Sequence, residues 1–444
     1  MANNEMTARG EWGVMRRHPR AADLALAAAV LLPLAVALPR LGWPDNDAGD
    51  WLAWTGRATG ILGLAMLLLA AATSIRVPGW DRPFGGLARL WRLHHGLGFG
   101  AFVLLMVHAL SLALAAVPLG LPVAVEVLFP PFSRGAIWLG WLAWLAMVIF
   151  LAPSFGFFGR PRYQAWKRLH LVSAVALLLA LAHALPLAGE AWPWWLLGMS
   201  GLAAIAWRKL GSRRARLAYR IDTVKPLARG VVELVLAPVG RRLVHEPGQF
   251  VYLTPLDETL AAGRGEEHPY TITSAPADER LRIGIKDLGD ASHALQSVST
   301  GSMAQVEGPY GDFFGRHPPG RHRLWFGGGI GITPFVGGAR DLMARGSVDG
   351  QVLLIYLANR GERAYYLDEL ESIAERLAGF SVVVHYYLER GALDVAFLVE
   401  HCPDFAGREI HLCGPPAMNA HLMRLLAGQG VPRSCIHSEV LDFL

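Results

Sequence analysis

Long apolar runs alternate with short polar connections over the first 210 residues of the chain. A helix of about 17 to 25 mostly apolar residues is long enough to cross the roughly 30 Å hydrocarbon core of a bilayer. We therefore predict six membrane-spanning helices, at residues 21–39, 51–75, 93–117, 135–153, 169–187 and 191–207.

The pattern changes after residue 210. Short β-rich runs broken by proline and glycine fill residues 215–320 and predict a small β-barrel. Residues 321–444 alternate such runs with amphipathic helical segments, and this rhythm predicts a parallel sheet covered by helices. The predicted fold class is a multidomain membrane protein, in which a six-helix bundle over residues 1–210 precedes the barrel and the α/β domain.

Composition agrees with a chain that is only partly embedded in lipid. Its 444 residues are 53% hydrophobic and 17% charged, and the mean hydropathy is +0.33. These values are too apolar for an ordinary soluble protein and too charged for membrane helices alone. The net charge of +5 comes from arginines beside the apolar runs. No basic patch with interleaved aromatics accompanies them, so we expect no nucleic-acid partner.

Lysine and arginine also predict the orientation of the chain. They cluster before the first apolar run, between the second and third, between the fourth and fifth, and after the sixth. The opposite connections hold only Arg40 and Arg134. Because positively charged connections stay on the cytoplasmic side, both termini and both C-terminal domains are predicted to be cytoplasmic.

Four histidines interrupt the apolar runs: His94 and His108 in the third run, and His170 and His183 in the fifth. An imidazole is costly in hydrocarbon unless a partner such as haem iron holds it. The first pair is separated by about 21 Å of helix and about 40° in azimuth, so both rings face nearly the same way. The second spacing is one residue shorter and gives a phase error of about 140°. Two such helices would clamp one haem near each membrane face, provided that the second helix is locally overwound or the haems are rotated.

Other roles for these polar residues remain open at this stage. His95 competes with His94, although its spacing to His108 suits the helical phase less well. Lone intramembrane histidines also hydrogen-bond across helices or line proton paths, and the matched spacing is what favours haem. Arg57, near the outer end of the second run, would either snorkel to the headgroups, pair with an outer haem propionate or lie beside an electron acceptor.

A motif of proline, an aromatic residue and hydroxyl residues, HPYTITSAP, begins at residue 268. Pro269 fixes its own φ and keeps its neighbours extended. The motif then presents Tyr270 as a flat platform and Thr271 and Ser274 as hydroxyl donors, which is the set of groups that a flavin ring needs.

Two turns are candidate phosphate sites. The first, Gly289 to Ser292, begins a short helical pattern that suits a pyrophosphate or is simply a capped helix. The second, GGGIGITP, joins a strand to a helix. Its glycines let the backbone approach a phosphate or a nicotinamide, and Thr333-Pro334 suits a helix start.

The segment Cys413-Gly414-Pro415 repeats this strand-to-turn pattern later in the chain. Ligands of parallel sheets gather at the carboxyl ends of the strands, so we expect Gly414 and Pro415 at the cofactor site. Cys413 is either a buried structural thiol or a residue beside the path of the hydride, and we favour the second interpretation.

Taken together, these motifs resemble the NADPH oxidase and ferric reductase superfamily. The order is specific: the two histidine pairs, HPYT, GPYG, GGGIGITP and CGPP. The resemblance implies a bis-haem membrane domain joined to a ferredoxin reductase-like part, with an FAD-binding barrel and a nicotinamide-binding α/β domain. It implies FAD, two b-type haems and NADPH or NADH as cofactors, in a protein embedded in the lipid of the bacterial inner membrane.

The resemblance also implies residue roles. His94 and His170 would ligate the inner haem, and His108 and His183 the outer one. The residues expected to contact FAD are His268, Pro269, Tyr270, Thr271 and, at the pyrophosphate, Ser292. Those expected to hold the nicotinamide and its phosphates are Gly328, Gly329, Gly331, Thr333 and Pro334. Cys413 and Glu439 would lie beside the contact between flavin and nicotinamide, Phe443 would cover the isoalloxazine, and Arg360 would pair with the 2′-phosphate of NADPH.

The implied activity is transfer of electrons from cytosolic NAD(P)H through FAD and two haems to an acceptor at the outer face. Oxygen, giving superoxide, is the acceptor we favour. The alternatives are a ferric chelate and a periplasmic protein partner. Histidine at both axial positions predicts outer-sphere reduction near the haem edge and Arg57. The sequence has no EF-hand loop and no long N-terminal regulatory domain, so we expect constitutive activity, and we expect no obligatory regulatory subunit.

Overall fold

The described residues of the computed structural model are 21–45, 47–155, 163–211, 215–315 and 319–439. Contacts along the chain divide it into two units. The membrane unit comprises Ala21–Val77 and Arg89–Arg214. The C-terminal unit joins Pro78–Ala88 to Ala215–Leu444.

Leucine- and alanine-rich segments form the helices of the membrane unit. The helices are α1 (Ala21–Leu41), α2 (Ala48–Thr73), α3 (Leu87–Ala116), α4 (Leu121–Leu128), α5 (Gly135–Leu151), α6 (Tyr163–Leu169), α7 (Val172–Ala184) and α8 (Trp192–Ala206). Small side chains lie where these helices meet, since Ala65, Ala101 and Ala176 are fully buried in one apolar cluster. Small residues allow the close backbone approach on which helix association in membranes depends.

Within the described ranges, four helices are long and apolar enough to span a membrane: Ala21–Leu41, Ala48–Thr73, Leu87–Leu119 and Ala165–Ala184. The predicted fourth and sixth spans coincide with α5 and α8, which have only 17 and 15 residues. At the usual rise of an α-helix they are about 23 to 26 Å long, which is shorter than a typical hydrocarbon core. The prediction of six spans is therefore supported for four helices.

The helix that carries His170 is tightened at that residue. α6 ends at Leu169 and α7 begins at Val172. Between them Ser173 N donates to His170 O at 3.0 Å, and Ala174 N donates to Leu171 O at 3.2 Å. Hydrogen bonds to the third residue back belong to the narrower 3₁₀ geometry, which turns further per residue than an α-helix. A 3₁₀ turn adds about 20° per residue, so this short stretch supplies only part of the roughly 140° that the spacing of His170 and His183 requires.

Residues 216–310 form a closed antiparallel barrel, as the sequence predicts. The strands are β1 (Arg216–Ala228), β2 (Val231–Pro238), β3 (Phe250–Pro255), β4 (His268–Thr271), β5 (Leu281–Lys286) and β6 (Met303–Tyr310), in the order β4-β3-β6-β1-β2-β5. A bridge between Ile272 and Ile283 joins the two edges. Fully buried Tyr219, Leu234 and Val306 fill the interior. The short helix α9 (Asp290–Ala294) follows β5.

The rest of the chain forms a parallel sheet, which is also as predicted. Its strands are β7 (Arg323–Gly328), β8 (Val352–Ala358), β9 (Phe380–Tyr386), β10 (Glu409–Cys413) and β11 (Ile436–Glu439), in the order β11-β10-β7-β8-β9. The connecting helices are α10 (Thr333–Arg345), α11 (Leu367–Arg376), α12 (Tyr387–Arg390), α13 (Val395–His401) and α14 (Pro416–Gly428). The chain reverses its direction across the sheet at β7, and ligands bind at such a switch point.

A buried charge network joins the barrel to the α/β domain. Arg340 on α10 donates to Glu233 on β2 at 2.8 Å and to Glu369 on α11 at 2.7 Å. It also donates to the carbonyl of Thr273 at 2.9 Å. Arg340 is 8% exposed and Glu233 is 1% exposed. Buried charges are tolerated only when each has a partner, so the network fixes how α10 packs on the barrel.

The connection between α2 and α3 lies inside the predicted membrane domain, but its contacts place Pro78–Ala88 in the C-terminal unit. Asp81 supplies the main tie, because its Oδ2 accepts the N–H of Gly311 at 2.9 Å. Asp81 is 2% exposed, and this burial raises the pKa of its carboxyl group. The C-terminal unit is therefore discontinuous in sequence.

We expect Arg340→Ala to destabilise the C-terminal unit by about 3–5 kcal/mol, because it leaves the Glu233 carboxylate buried without its charge partner. Proteolysis of the full-length protein across a urea series measures the change. Arg376→Ala on α11 is the control, since this exposed arginine bonds to the carbonyl of Ser372 in its own helix and should cost about 0–0.5 kcal/mol. Equal destabilisation by the two substitutions would contradict the assigned role.

Candidate functional site

The glycine-rich turn after β7 is shaped by close contact with the turn after β10. A Cβ atom on Gly331 would meet the carbonyl of Cys413 and would lie 2.7 Å from Cα of Gly414. Gly329 has a φ of +55°, which favours glycine. Thr333 begins α10, and its hydroxyl donates to the carbonyl of Ile330 at 2.8 Å. The glycines are thus required by the meeting of two turns at the switch point of the sheet.

A cavity of about 460 Å³ opens at these strand ends. Four of its lining residues are among those predicted from the sequence: Gly328, Gly329, Arg360 and Pro415. Others were not predicted, including Lys286, Asn359, Arg363, Tyr387 and Met418. Asn359 directly follows parallel strand β8, and that position is the signal that could have identified it. Lys286 ends β5 of the antiparallel barrel, where this rule gives no signal.

The cavity lining carries more positive than negative charge. Lys286, Arg360 and Arg363 contribute cations, and Glu362 is the acidic residue among the described lining residues. Arg360 and Arg363 are exposed and follow β8. Arginine beside a strand end is suited to bidentate contact with a phosphate group. The lining therefore suits a ligand with phosphates.

Cys413 ends β10 and is 1% exposed. Its backbone pairs with Gly327 on one side and Glu439 on the other, and it belongs to the apolar cluster that contains Ile332. Its predicted place beside the hydride path stays a prediction. Phe443 lies outside the described residues, as does the side chain of Glu439.

The predicted flavin motif forms β4, which pairs antiparallel with β3 at one edge of the barrel sheet. His268, Pro269 and Tyr270 are half-buried, and Thr271 is 6% exposed. Burial raises the pKa of the Tyr270 phenol, which stays protonated at neutral pH. His268 Nε2 lies 3.3 Å from the Glu266 carboxylate. Three successive side chains of β4 are therefore partly accessible to solvent, and one of them is the neutral ring of Tyr270.

Two serines in the predicted FAD site have bonds within the barrel domain. Ser274 is 1% exposed, and its Oγ accepts the N–H of Arg282 at 3.2 Å. Ser292 Oγ accepts the N–H groups of Leu288 and Gly289, both at 2.9 Å, and so caps the start of α9. The two bonds of Ser292 match the alternative of a capped helix. The predicted flavin and pyrophosphate contacts of the two serines stay predictions.

In the membrane unit the four predicted histidines meet as two pairs. The ring centroids of His94 and His170 are 6.1 Å apart, and those of His108 and His183 are 6.3 Å apart. A metal–imidazole bond of about 2.0–2.1 Å on each side, plus about 1 Å from nitrogen to centroid, separates two opposed rings by about 6 Å. Both pairs therefore have the spacing of two imidazoles that share one metal ion.

Backbone carbonyl groups hold three of these rings. His94 Nδ1 lies 2.7 Å from the carbonyl oxygen of Ala70, and His108 Nδ1 lies 2.7 Å from that of Gly56. His183 Nδ1 lies 2.8 Å from the carbonyl oxygen of Ala136. A carbonyl oxygen only accepts, so each Nδ1 carries the proton and each Nε2 keeps a free lone pair. Histidines that bind metals are oriented in this way.

The rest of the surroundings limits what the pairs could hold. Over the described residues, no three His, Cys, Asp or Glu side chains cluster as ligands of a metal ion. Each pair offers two donors, so an ion between them needs further ligands, and the four porphyrin nitrogens of haem would supply them.

His95 is exposed beside His94, with centroids 5.6 Å apart. Arg57 is exposed on α2, next to Gly56.

Three family descriptions match successive parts of the chain. "Ferric reductase like transmembrane component" matches residues 59–181. "FAD-binding domain" matches residues 216–313, and "Oxidoreductase NAD-binding domain" matches residues 326–423. The chain has the domain architecture of the NADPH oxidase and ferric reductase superfamily. The three matched domains identify the chain as an oxidoreductase.

Two curated relatives each match less than half of this chain, and the chain spans little more than half of their own length. The ferredoxin reductase component of a 3-ketosteroid-9-alpha-monooxygenase from Mycolicibacterium smegmatis is 33% identical over 46% of this chain and 57% of its own length. The glycine betaine monooxygenase reductase subunit of Pseudomonas aeruginosa is 32% identical over 44% of this chain and 55% of its own. The FAD/NAD-binding domain of Vibrio cholerae nitric oxide dioxygenase is 24% identical, with a TM-score of 0.45, over 50% of this chain and 98% of that structure.

We expect Gly331→Ala to slow reduction of the flavin by NAD(P)H, because the added Cβ pushes the two turns apart. Overpacking at a tight site costs about 1–3 kcal/mol, which corresponds to about 5- to 150-fold in rate. Anaerobic stopped-flow measurement of flavin reduction tests this. Gly428→Ala at the end of α14 is the control, since its Cβ would have no neighbour within 4 Å. An unchanged rate in Gly331→Ala would contradict the packing argument.

Proposed function

We propose that the chain carries electrons from cytosolic NAD(P)H across the membrane to an acceptor at the outer face. The observation that carries this proposal is the presence of two imidazole pairs, each at the spacing of a shared metal ion. His94 and His108 are about 21 Å apart along α3, which is most of the thickness of a bilayer core. Two carriers held there would connect the two faces.

The sidedness of the proposal rests on six spans and on the distribution of arginine. The even number of spans and the basic connections at the N-terminus and after the sixth span together favour a cytoplasmic C-terminal unit. The nicotinamide site would then face the cytosol, where NAD(P)H is present. His94 and His170 would lie near the cytoplasmic face, and His108 and His183 near the outer face.

The residues of the C-terminal unit bind and orient the donor in this proposal. The turn that contains Gly329 and Gly331 lets the nicotinamide approach the sheet, and Tyr270 on β4 offers a flat neutral ring to the flavin. Arg360 and Arg363 line the cavity where phosphates are expected. We therefore infer that Arg360 contacts the 2′-phosphate and favours NADPH over NADH.

The residues of the membrane unit orient the two haems. His94 and His170 would hold the inner group, and His108 and His183 the outer one. For His94, His108 and His183 the ligand atom would be Nε2, because Nδ1 is bonded to a carbonyl. When bound, FAD converts a two-electron donor into single-electron transfers and each haem carries one electron. Because two histidines would hold the outer group, an acceptor would be reduced without binding to its iron. Arg57, exposed beside Gly56, supplies positive charge near the outer pair.

Oxygen, reduced to superoxide, is the acceptor that we propose. It needs no binding site on the iron for outer-sphere reduction. The connections at 42–47 and 117–134 are short, which disfavours a large docking surface for a protein partner at the outer face.

A reduced-minus-oxidised visible spectrum of the purified chain tests the haem assignment. We expect two low-spin b-type haems and one flavin per chain. His108→Ala should remove one haem and leave the flavin, because it deletes one ligand of the outer pair. His95→Ala is the matched control and should keep both haems. A protein without Soret absorption would contradict the proposal.

The acceptor is tested with the same purified protein and NADPH. We expect superoxide formation that superoxide dismutase abolishes and iron chelators do not affect. Reduction of a ferric chelate that persists without oxygen, in the absence of superoxide, would indicate a metalloreductase instead. Turnover that appears only after a periplasmic protein is added would indicate an electron-transfer module.

A further inference from the structure

Two glycines face the imidazole rings of the outer pair. A Cβ atom on Gly60 of α2 would lie 2.6 Å from Nδ1 of His108. A Cβ atom on Gly140 of α5 would lie 2.9 Å from Nδ1 of His183. Real Cβ atoms do not approach other heavy atoms so closely, so neither position accommodates a side chain while the ring stays where it is.

At both rings the glycine lies four residues after the residue whose carbonyl bonds to the histidine. His108 Nδ1 is bonded to the carbonyl oxygen of Gly56, four residues before Gly60. His183 Nδ1 is bonded to the carbonyl oxygen of Ala136, four residues before Gly140. In a helix the carbonyl of residue i points toward residue i+4. A ring that donates to that carbonyl therefore lies against residue i+4, where only glycine leaves room.

The inner pair is held differently. His94 Nδ1 is bonded to the carbonyl oxygen of Ala70, and four residues on is Ser74, where α2 has ended. For His170 Nδ1 no hydrogen-bond partner is found in the described part of the chain. The glycine arrangement is therefore a property of the outer pair, and it occurs there on both sides.

We propose that Gly60 and Gly140 are positioning residues for the outer haem, an inference that rests on the proposed function. Each glycine lets a histidine ring lie flat against the neighbouring helix and reach the carbonyl. The carbonyl then keeps the proton on Nδ1 and directs Nε2 toward the iron. A methyl group at either position displaces the ring and breaks this bond.

The test is haem content and redox behaviour of full-length variants. We expect Gly60→Ala and Gly140→Ala each to lose about half of the haem, or to retain it with a shifted midpoint potential for one of the two haems. FAD content and NADPH–ferricyanide reductase activity should stay at the wild-type level. Gly135→Ala on α5 is the control, because its Cβ would have no neighbour within 4 Å.

A double variant separates a positioning role from a general folding defect. Once His108→Ala has removed the ring, an added Gly60→Ala should cause no further loss of haem. A further loss would overturn the proposal, and so would two haems with wild-type potentials in both single glycine variants. A wild-type protein that contains no haem would instead overturn the proposed function itself.

Discussion

Hydrogen bonds from imidazole Nδ1 to backbone carbonyl oxygens are the interactions on which the membrane unit depends. They fix three of the four rings at a depth where water is scarce and where a free N–H group would be costly. They also decide which nitrogen of each ring remains available. The helices therefore have two structural roles. They pack against one another, and their backbone carbonyl oxygens accept hydrogen bonds from histidine side chains of neighbouring helices.

In the C-terminal unit the main contacts are those that hold the two cofactor-binding domains together. Arg340 does this with charge, through partners on the barrel and on α11. The turns after β7 and β10 do it by close packing, since Gly331 lies against the Cys413 carbonyl. A charge network is expensive to bury. At this junction it holds α10 against the barrel.

Regular patterns explain why much of this could be predicted from the sequence. Apolar runs, β-rich segments and glycine-rich turns identified the helices, the barrel and the parallel sheet, and histidine spacing identified the residues that form the two pairs. Contacts between segments that are distant in the sequence could not be predicted from it. Arg340 and Glu233 are 107 residues apart in sequence, and nothing local marks Gly60 as the neighbour of His108. The sequence left two roles open for Ser292, and its hydroxyl bonds to its own helix start as in the capped-helix alternative.

The placement of Pro78–Ala88 within the C-terminal unit has a consequence for biogenesis. Asp81 is synthesised about 230 residues before its partner Gly311. At translation rates of about 5–20 residues per second, the segment waits for tens of seconds while four more apolar runs leave the ribosome. Assembly of the C-terminal unit can finish only after that interval. A fragment cut at the start of the barrel would lack this part of its own fold.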